Sequence, residues 1–164
     1  MNQIIITKPD PEKDAEEIAN VYYYTWLKTY PNKNAGITRE DIEEHFKNRL
    51  EKKELEKKKE KISNLNPNKL FLIAKYNEKV IGVCNIIKRE NFNQLQSIYV
   101  LPEYQGKGIG YKLWLKAFDF IDKEKNTIVQ VAIYNENAIN FYKKLGFIDT
   151  EKKFSDEKFK MPIK

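Results

Sequence analysis

The chain has 164 residues, of which 41% are hydrophobic, 13% aromatic and 33% charged, and its net charge is +6. Such a length fills one hydrophobic core and is too short for two, and the apolar content excludes a disordered chain, so a single domain spanning 1–164 is expected. The longest apolar runs, at Leu70–Ala74 and Val80–Cys84, fall far below the roughly 18 to 20 residues of a membrane span, and the first residues lack the basic start and apolar run of a secretion signal. A cytoplasmic protein without membrane contact is expected.

In chain order, Gln3–Thr7 is short and β-branched and reads as a strand. Asp10-Pro11-Glu12 then sets a cap residue, a first-turn proline and an early acid in helix-starting order. Ala15, Ile18, Ala19, Tyr22 and Trp26 recur at three- and four-residue spacing, which predicts a buried helix face ending at the loop Pro31–Gly36. Thr38-Arg39-Glu40-Asp41 reads as a capping box before one long second helix with a thin stripe of Ile42, Phe46, Leu50, Leu55 and Ile62. Its stretch 51–61 mixes both charge signs within each turn and reads as a solvated face. Leu70–Tyr76 and Val80–Ile87 predict a hairpin over the three-residue turn Asn77-Glu78-Lys79, and Gln94–Val100 a third strand closed by Pro102. A helix follows Gly106, with Ile109, Leu113, Ala117 and Ile121 four apart. Thr127–Tyr134 reads as a strand, and Asn135 and Asn137 offer caps to a short helix lined by Ala138, Phe141, Tyr142 and Leu145 and stopped at Gly146. Two closing strands, Phe147–Lys153 and Lys158–Ile163, flank the turn Ser155-Asp156-Glu157. This order predicts an α/β fold, one mixed sheet of six to seven strands flanked by about four helices.

Few residues here are suited to chemistry. Cys84 is the one cysteine and His45 the one histidine, which excludes an intrachain disulfide and multi-histidine or cysteine-rich metal sites, so no metal is expected. Cys84 reads as core packing and His45 as a boundary residue. Arginine occurs only at 39, 49 and 89, and lysine is poorly shaped for bidentate base contacts, so no specific nucleic-acid partner is expected.

The chemically informative segment runs from Val100 through Leu101-Pro102-Glu103-Tyr104 to Gln105-Gly106-Lys107-Gly108-Ile109-Gly110, from a strand through a glycine-rich turn into an amphipathic helix. Three glycines in five residues let the backbone curl and expose successive N–H groups at the positive end of a helix, and Lys107 adds charge. That arrangement cradles an anion such as a pyrophosphate. The dinucleotide fingerprint G-x-G-x-x-G fails because Tyr111 stands where its third glycine belongs, and the Walker pattern fails because Gly108 follows Lys107.

The run Gln105 to Gly110 resembles the Q/R-x-x-G-x-G/A signature of the GNAT superfamily, the acyl-CoA-dependent N-acyltransferases. Asn135, Ala138, Tyr142, Gly146 and Phe147 are similar in spacing to the N-x-x-A-x-x-x-Y-x-x-x-G-F run that the family carries after its fifth strand. The resemblance implies the GNAT fold and acetyl-CoA as cosubstrate. Its signature includes Gln105, and it implies that the pyrophosphate lies on the amides of Gly106, Lys107, Gly108, Ile109, Gly110 and Tyr111. It further implies that Ile98, Tyr99 and Val100 pair through their backbone with the pantetheine arm, and that an N–H near Val100 polarises the thioester carbonyl. Asn135 would hold the arm, and Tyr142 would protonate the departing thiolate.

The implied activity is transfer of the acetyl group to a primary amine, on a small molecule, a polyamine or a protein, by direct attack in a ternary complex. The alternative is a non-catalytic CoA-binding sensor or interaction module on the same fold. Family members often carry a glutamate on the fourth or fifth strand as base, whereas the corresponding positions here hold Gln96 and Gln130, which cannot take a proton. The resemblance puts the acceptor cleft at Thr29–Gly36, near Tyr23, Tyr24, Trp26 and Tyr30. The expected partner is a small-molecule or peptide amine, and the chain itself a monomer or homodimer.

Overall fold

The computed structural model describes residues 3–156, 159 and 161–164. Glu157, Lys158 and Lys160 of the expected closing strands lie outside the described residues, as do 1–2.

Four strands, β1 (Ile4–Thr7), β2 (Lys69–Tyr76), β3 (Lys79–Lys88) and β4 (Asn93–Val100), form an antiparallel series, and β5 (Thr127–Val129) joins β4 in parallel. The order β1-β2-β3-β4-β5 makes a mixed sheet of five strands, fewer than the six to seven expected. The expected strand Phe147–Lys153 does not form, and a separate short ladder pairs β6 (Phe154–Ser155), part of it in the expected turn, with β7 (Pro162–Ile163). The β2–β3 turn has two residues rather than three, because Asn77 and Glu78 both take the left-handed backbone, φ 48° and 66°, whose twist matches that of the flanking strands.

The described residues form five α-helices where about four were expected. α1 (Pro11–Thr29) begins as the sequence predicts, with the Asp10 carboxylate accepting from the amides of Glu12 and Lys13. The long second helix is in fact two, α2 (Arg39–Phe46) and α3 (Lys52–Ser63). Arg49 explains the break: its Nε donates to Asn20 Oδ1 at 3.0 Å, its Nη1 donates to the Phe46 carbonyl at 3.4 Å, and its guanidinium lies 3.9 Å from the centre of the Tyr23 ring. That anchor pulls 47–51 onto α1 and out of helical register. The remaining helices are α4 (Ile109–Phe118) and α5 (Glu136–Lys144).

α1 and α4 cover opposite faces of the sheet. Ile18 and Val21 of α1 and Leu113 and Trp114 of α4 are buried with Ile73, Ile81, Val83 and Ile86 of the strands, each contributing roughly 1.5 to 3 kcal/mol by leaving water. Gly82 permits close approach on the α4 face, since a Cβ there would meet the Tyr99 carbonyl oxygen at 2.9 Å and Leu113 at 3.3 Å. Two buried polar ties hold the ends of this sandwich. Asp14 meets the Lys75 ammonium at 2.7 Å. Asn93, fully buried, donates to the Asp122 carbonyl at 2.8 Å and accepts from the Asp122 amide at 3.0 Å, fixing the connection from α4 into β5.

The Arg49 anchor generates a stability prediction. Arg49→Ala should cost about 1 to 2 kcal/mol by losing the cation–aromatic contact and the hydrogen bond to Asn20, read as a lower urea midpoint at constant slope.

Candidate active site

The site begins with one extra residue. Asn85 pairs with Ser97 and Ile86 with Leu95, so Gln96 is a bulge on β4, which bends that strand and increases its twist. On its other side β4 pairs with β5 only as far as Leu95 and Val129. The chain then turns away: Val131 exchanges backbone hydrogen bonds with Lys164, and the Ile133 amide donates to the Pro162 carbonyl. The second half of the strand expected at Thr127–Tyr134 therefore belongs to the C-terminal ladder, and a cleft of about 940 Å³ opens between the diverging strands.

Backbone alternation decides which β4 groups face that cleft. The Leu101 amide donates to the Ile81 carbonyl at 2.8 Å, making that a hydrogen-bonded pair. By alternation Tyr99 spends its backbone groups on Val83, while Ile98 and Val100 turn theirs away from β3. The Val100 carbonyl accepts from Gln105 Nε2 at 2.9 Å, which leaves the Val100 N–H and both groups of Ile98 along the open edge. Of the three residues expected to present backbone, Tyr99 instead presents its side chain.

The glycine turn follows directly. Gly106 and Gly108 have φ of +74° and +76°, where L side chains are strained, and neither position is crowded. Gly108 caps α4, and the first bond into the helix is from the Lys112 amide to the Gly108 carbonyl at 3.0 Å. Among the described residues the N–H groups from Gly106 to Tyr111 have no backbone acceptor. Gly110 has a different reason to be small: a Cβ would lie 3.3 Å from the Phe141 ring, so this glycine lets α5 close against α4. The Lys107 ammonium lies over the Tyr104 ring, 5.3 Å from its centre.

The second motif is a pair of caps around Tyr142. Asn135 Oδ1 accepts from the Ala138 amide at 3.2 Å and starts α5. Gly146, at φ +92°, ends it, and the Phe147 amide donates back to the Tyr142 carbonyl at 3.0 Å. The Phe147 ring packs edge-on against Tyr142 at 5.6 Å. Thus positioned, Tyr142 lines the cleft, and burial, with Tyr99 and Cys84 close by, pushes its phenol well above the usual tyrosine range.

At its other end the cleft is lined by only part of the segment expected to hold the acceptor. Thr29 and Tyr30 are there, but so are Thr25, Lys28, Ser97 and Tyr134, none foreseen in that role. Tyr23 lies under Arg49, Tyr24 faces solvent, Trp26 stacks on His45, and 31–36 are not part of the lining. The Tyr30 hydroxyl meets the Tyr99 hydroxyl at 3.2 Å, and the Tyr134 hydroxyl donates to the Tyr30 carbonyl at 2.8 Å. Burial raises the Tyr30, Tyr99 and Tyr134 phenols, so the cluster is neutral. Thr25 Oγ1 is enclosed without a partner among the described residues. The sequence held one signal for this wall: Tyr22, Thr25 and Thr29 are spaced three and four apart, a hydroxyl stripe along α1.

Gln96 and Gln130, the next residues beyond the last paired ones, both line the cleft. The carboxylate in the described lining is Glu136, in the first turn of α5. Cys84 is buried and its thiol pushed up to about 12 by burial, which keeps it neutral and unreactive.

Comparison with known proteins places this geometry. The acetyltransferase (GNAT) family matches residues 16–147. An uncharacterised N-acetyltransferase of Methanocaldococcus jannaschii is 36% identical over 91 residues, 49% of this chain and 40% of that protein. The matches to relatives from Drosophila melanogaster and Chlorobaculum tepidum cover 54% and 56% of those proteins, so the chain spans about half the length of these relatives. A spermidine N(1)-acetyltransferase of Thermoplasma acidophilum is 30% identical over 82% of this chain and 83% of its own. The crystal structure of the PaiA N-acetyltransferase of that organism in complex with coenzyme A superposes with a TM-score of 0.71 at 29% identity, covering 98% of this chain and 97% of that one.

Proposed function

Since the chain belongs to the acetyltransferase (GNAT) family, we propose that residues 1–164 act as one N-acetyltransferase domain that moves the acetyl group of acetyl-CoA to a primary amine within a ternary complex. The observation that carries this reading is the continuous run of unspent backbone donors from Gly106 to Tyr111, continuous with the open β4 edge at Ile98 and Val100. Those amides fit a diphosphate at a helix N-terminus. The open edge fits a pantetheine arm, which brings its own amides and would lie there as an added strand. Gln105 and Asn135 flank the arm, one fixing the Val100 carbonyl and the other capping α5.

Acetyl-CoA supplies an activated acyl group and a good leaving thiol. The chain's own residues supply position, polarisation and one proton. The Val100 N–H is free to polarise the carbonyl as the amine nitrogen attacks. A C–N bond forms, the C–S bond breaks, and Tyr142 gives its proton to the sulfur. Because neither Gln96 nor Gln130 can take the amine's proton, that proton leaves to water or to a carboxylate outside those two strand positions. A single buried thiol suits a reducing compartment, in keeping with a cytoplasmic enzyme. The amide pair in the cleft also favours a second reading, a CoA-binding module without turnover. Release of free thiol in the presence of amines separates the two.

Two outcomes are expected. Gly108→Glu should abolish acetyl-CoA binding in calorimetry by setting a carboxylate in the anion cradle, whereas Gly108→Ala should bind and lose only about 1 kcal/mol of stability from its left-handed backbone. Unchanged affinity in the glutamate variant would remove the phosphate assignment. Tyr142→Phe should lower kcat by about 10²-fold or more with little change in acetyl-CoA affinity. The upward shift of the Tyr142 pKa favours the protonated phenol, so its proton remains available at pH values where a free tyrosine, near 10, would be losing it. Wild-type kcat/KM should therefore rise with pH as the amine deprotonates and show no falling limb below about pH 10.

A further inference from the structure

A second cavity, of about 560 Å³, lies between α1, α3 and the strands, and it adjoins the cleft. Gln96 lines both, and the hydroxyls of Tyr22, on one side, and Ser97, on the other, share a hydrogen bond at 3.1 Å. The volume is in the range of small-molecule sites. The floor is apolar, formed by Ile18, Ile62, Leu65 and Phe71.

The rim is cationic, and one lysine differs from its neighbours. Lys57 is held by Glu54 at 2.7 Å and Lys59 by Glu12 at 2.8 Å. Lys58 points instead over the Tyr22 ring, 5.3 Å from its centre, and has no carboxylate within salt-bridge distance among the described residues. Lys61 and Lys69 line the same space, and the carboxylate in the lining is the exposed Glu60. Burial and the nearby Lys61 both lower the Lys58 pKa, with Glu54 opposing them, so its charge is only partly compensated. Asn85, directly opposite Ser97, also lines the cavity, with its Oδ1 enclosed and unpartnered. An apolar floor and an ammonium without an ion pair among the described residues describe a site for an amphipathic anion.

The position of this cavity relates it to the reaction. Lys58 is separated from Ser97, in the cleft wall, by one phenol ring and one hydrogen bond, a path on the order of 10 Å. An extended chain of about six carbons spans that distance. We infer that the acceptor is a primary amine carrying a carboxylate at the far end of a short aliphatic chain, with the amine at Gln96 in the cleft and the carboxylate at Lys58 in the second cavity. This inference rests on the acetyl-transfer reading and names the class of its acceptor. A polycation would meet Lys28 and Lys144 in the cleft and Lys58, Lys61 and Lys69 beyond it.

Thiol release from acetyl-CoA is measured with 6-aminohexanoate, n-hexylamine and spermidine for the wild type, Lys58→Met and Lys58→Arg. In the wild type 6-aminohexanoate should exceed n-hexylamine by about tenfold in kcat/KM through a lower KM, and spermidine should be the poorest of the three. Lys58→Met should bring the ratio of the first two amines to about one, and Lys58→Arg should keep most of the preference. Using the ratio within each protein cancels any general damage to the fold. If the amines are acetylated but wild type and Lys58→Met share one ratio, or spermidine is preferred, the inference is overturned while acetyl transfer stands. Absence of thiol release with all three amines overturns both readings.

Discussion

The architecture turns on a mismatch of one residue between β3 and β4. Were Gln96 absent, β4 would run in register against β3 along its length and could keep β5 alongside as far as Val100. The bulge bends β4 where its parallel partner is short, and β5 cannot follow. An open strand edge in a sheet interior is costly unless something covers it. Here the departing chain solves half of that problem by pairing 131–133 with 162–164. The other half, at Ile98 and Val100, stays open, and in the proposed reading the pantetheine arm pairs with it. Gln96 is also the residue that lines both the cleft and the second cavity.

Much of the α5 motif is explained by helix termination before any ligand is considered. Asn135 satisfies an amide of the first turn, Gly146 supplies the left-handed residue that ends the helix, and Phe147 folds back on the last turn. The effect is to fix the rotation of a nine-residue helix that is too short to be stable alone. Gly110 acts from the opposite side by letting Phe141 approach α4. Between these constraints Tyr142 has little freedom, and the burial that positions its phenol also keeps it protonated. Structural and chemical roles are thus carried by the same residues, which is why spacing alone points to both.

That overlap explains what was legible in the sequence. The start of α1, the capping box of α2, the glycine turn and both ends of α5 depend on residues within four positions of each other, and each is found where the local pattern puts it. The errors share a different origin. The break at Arg49 requires Asn20 and Tyr23, nearly thirty residues earlier, and the truncation of β5 requires a partner strand at the C-terminus. The acceptor wall joins Tyr30 with Tyr99 and Tyr134, from α1, β4 and the segment after β5. Nothing in the local neighbourhood of Thr25 or Ser97 announces that they meet in one cleft, because tertiary contacts make that decision.

The same wall constrains how an acceptor is selected in the proposed reaction. Its phenols are kept neutral by burial, its hydroxyls carry no charge, and both strand positions at the splay are amides. A cleft of this kind exerts little pull on an ammonium, and a lysine-like amine is almost wholly protonated at neutral pH. The point of attack therefore offers no strand carboxylate to draw in the ammonium or to take its proton. Discrimination between amines then has to come from the part of the molecule that does not react, where binding energy can be used to position the nitrogen. From Ser97 the polarity changes from hydroxyl to phenol to the ammonium of Lys58, so in the proposed reaction the charge that selects the acceptor stands apart from the amine that reacts.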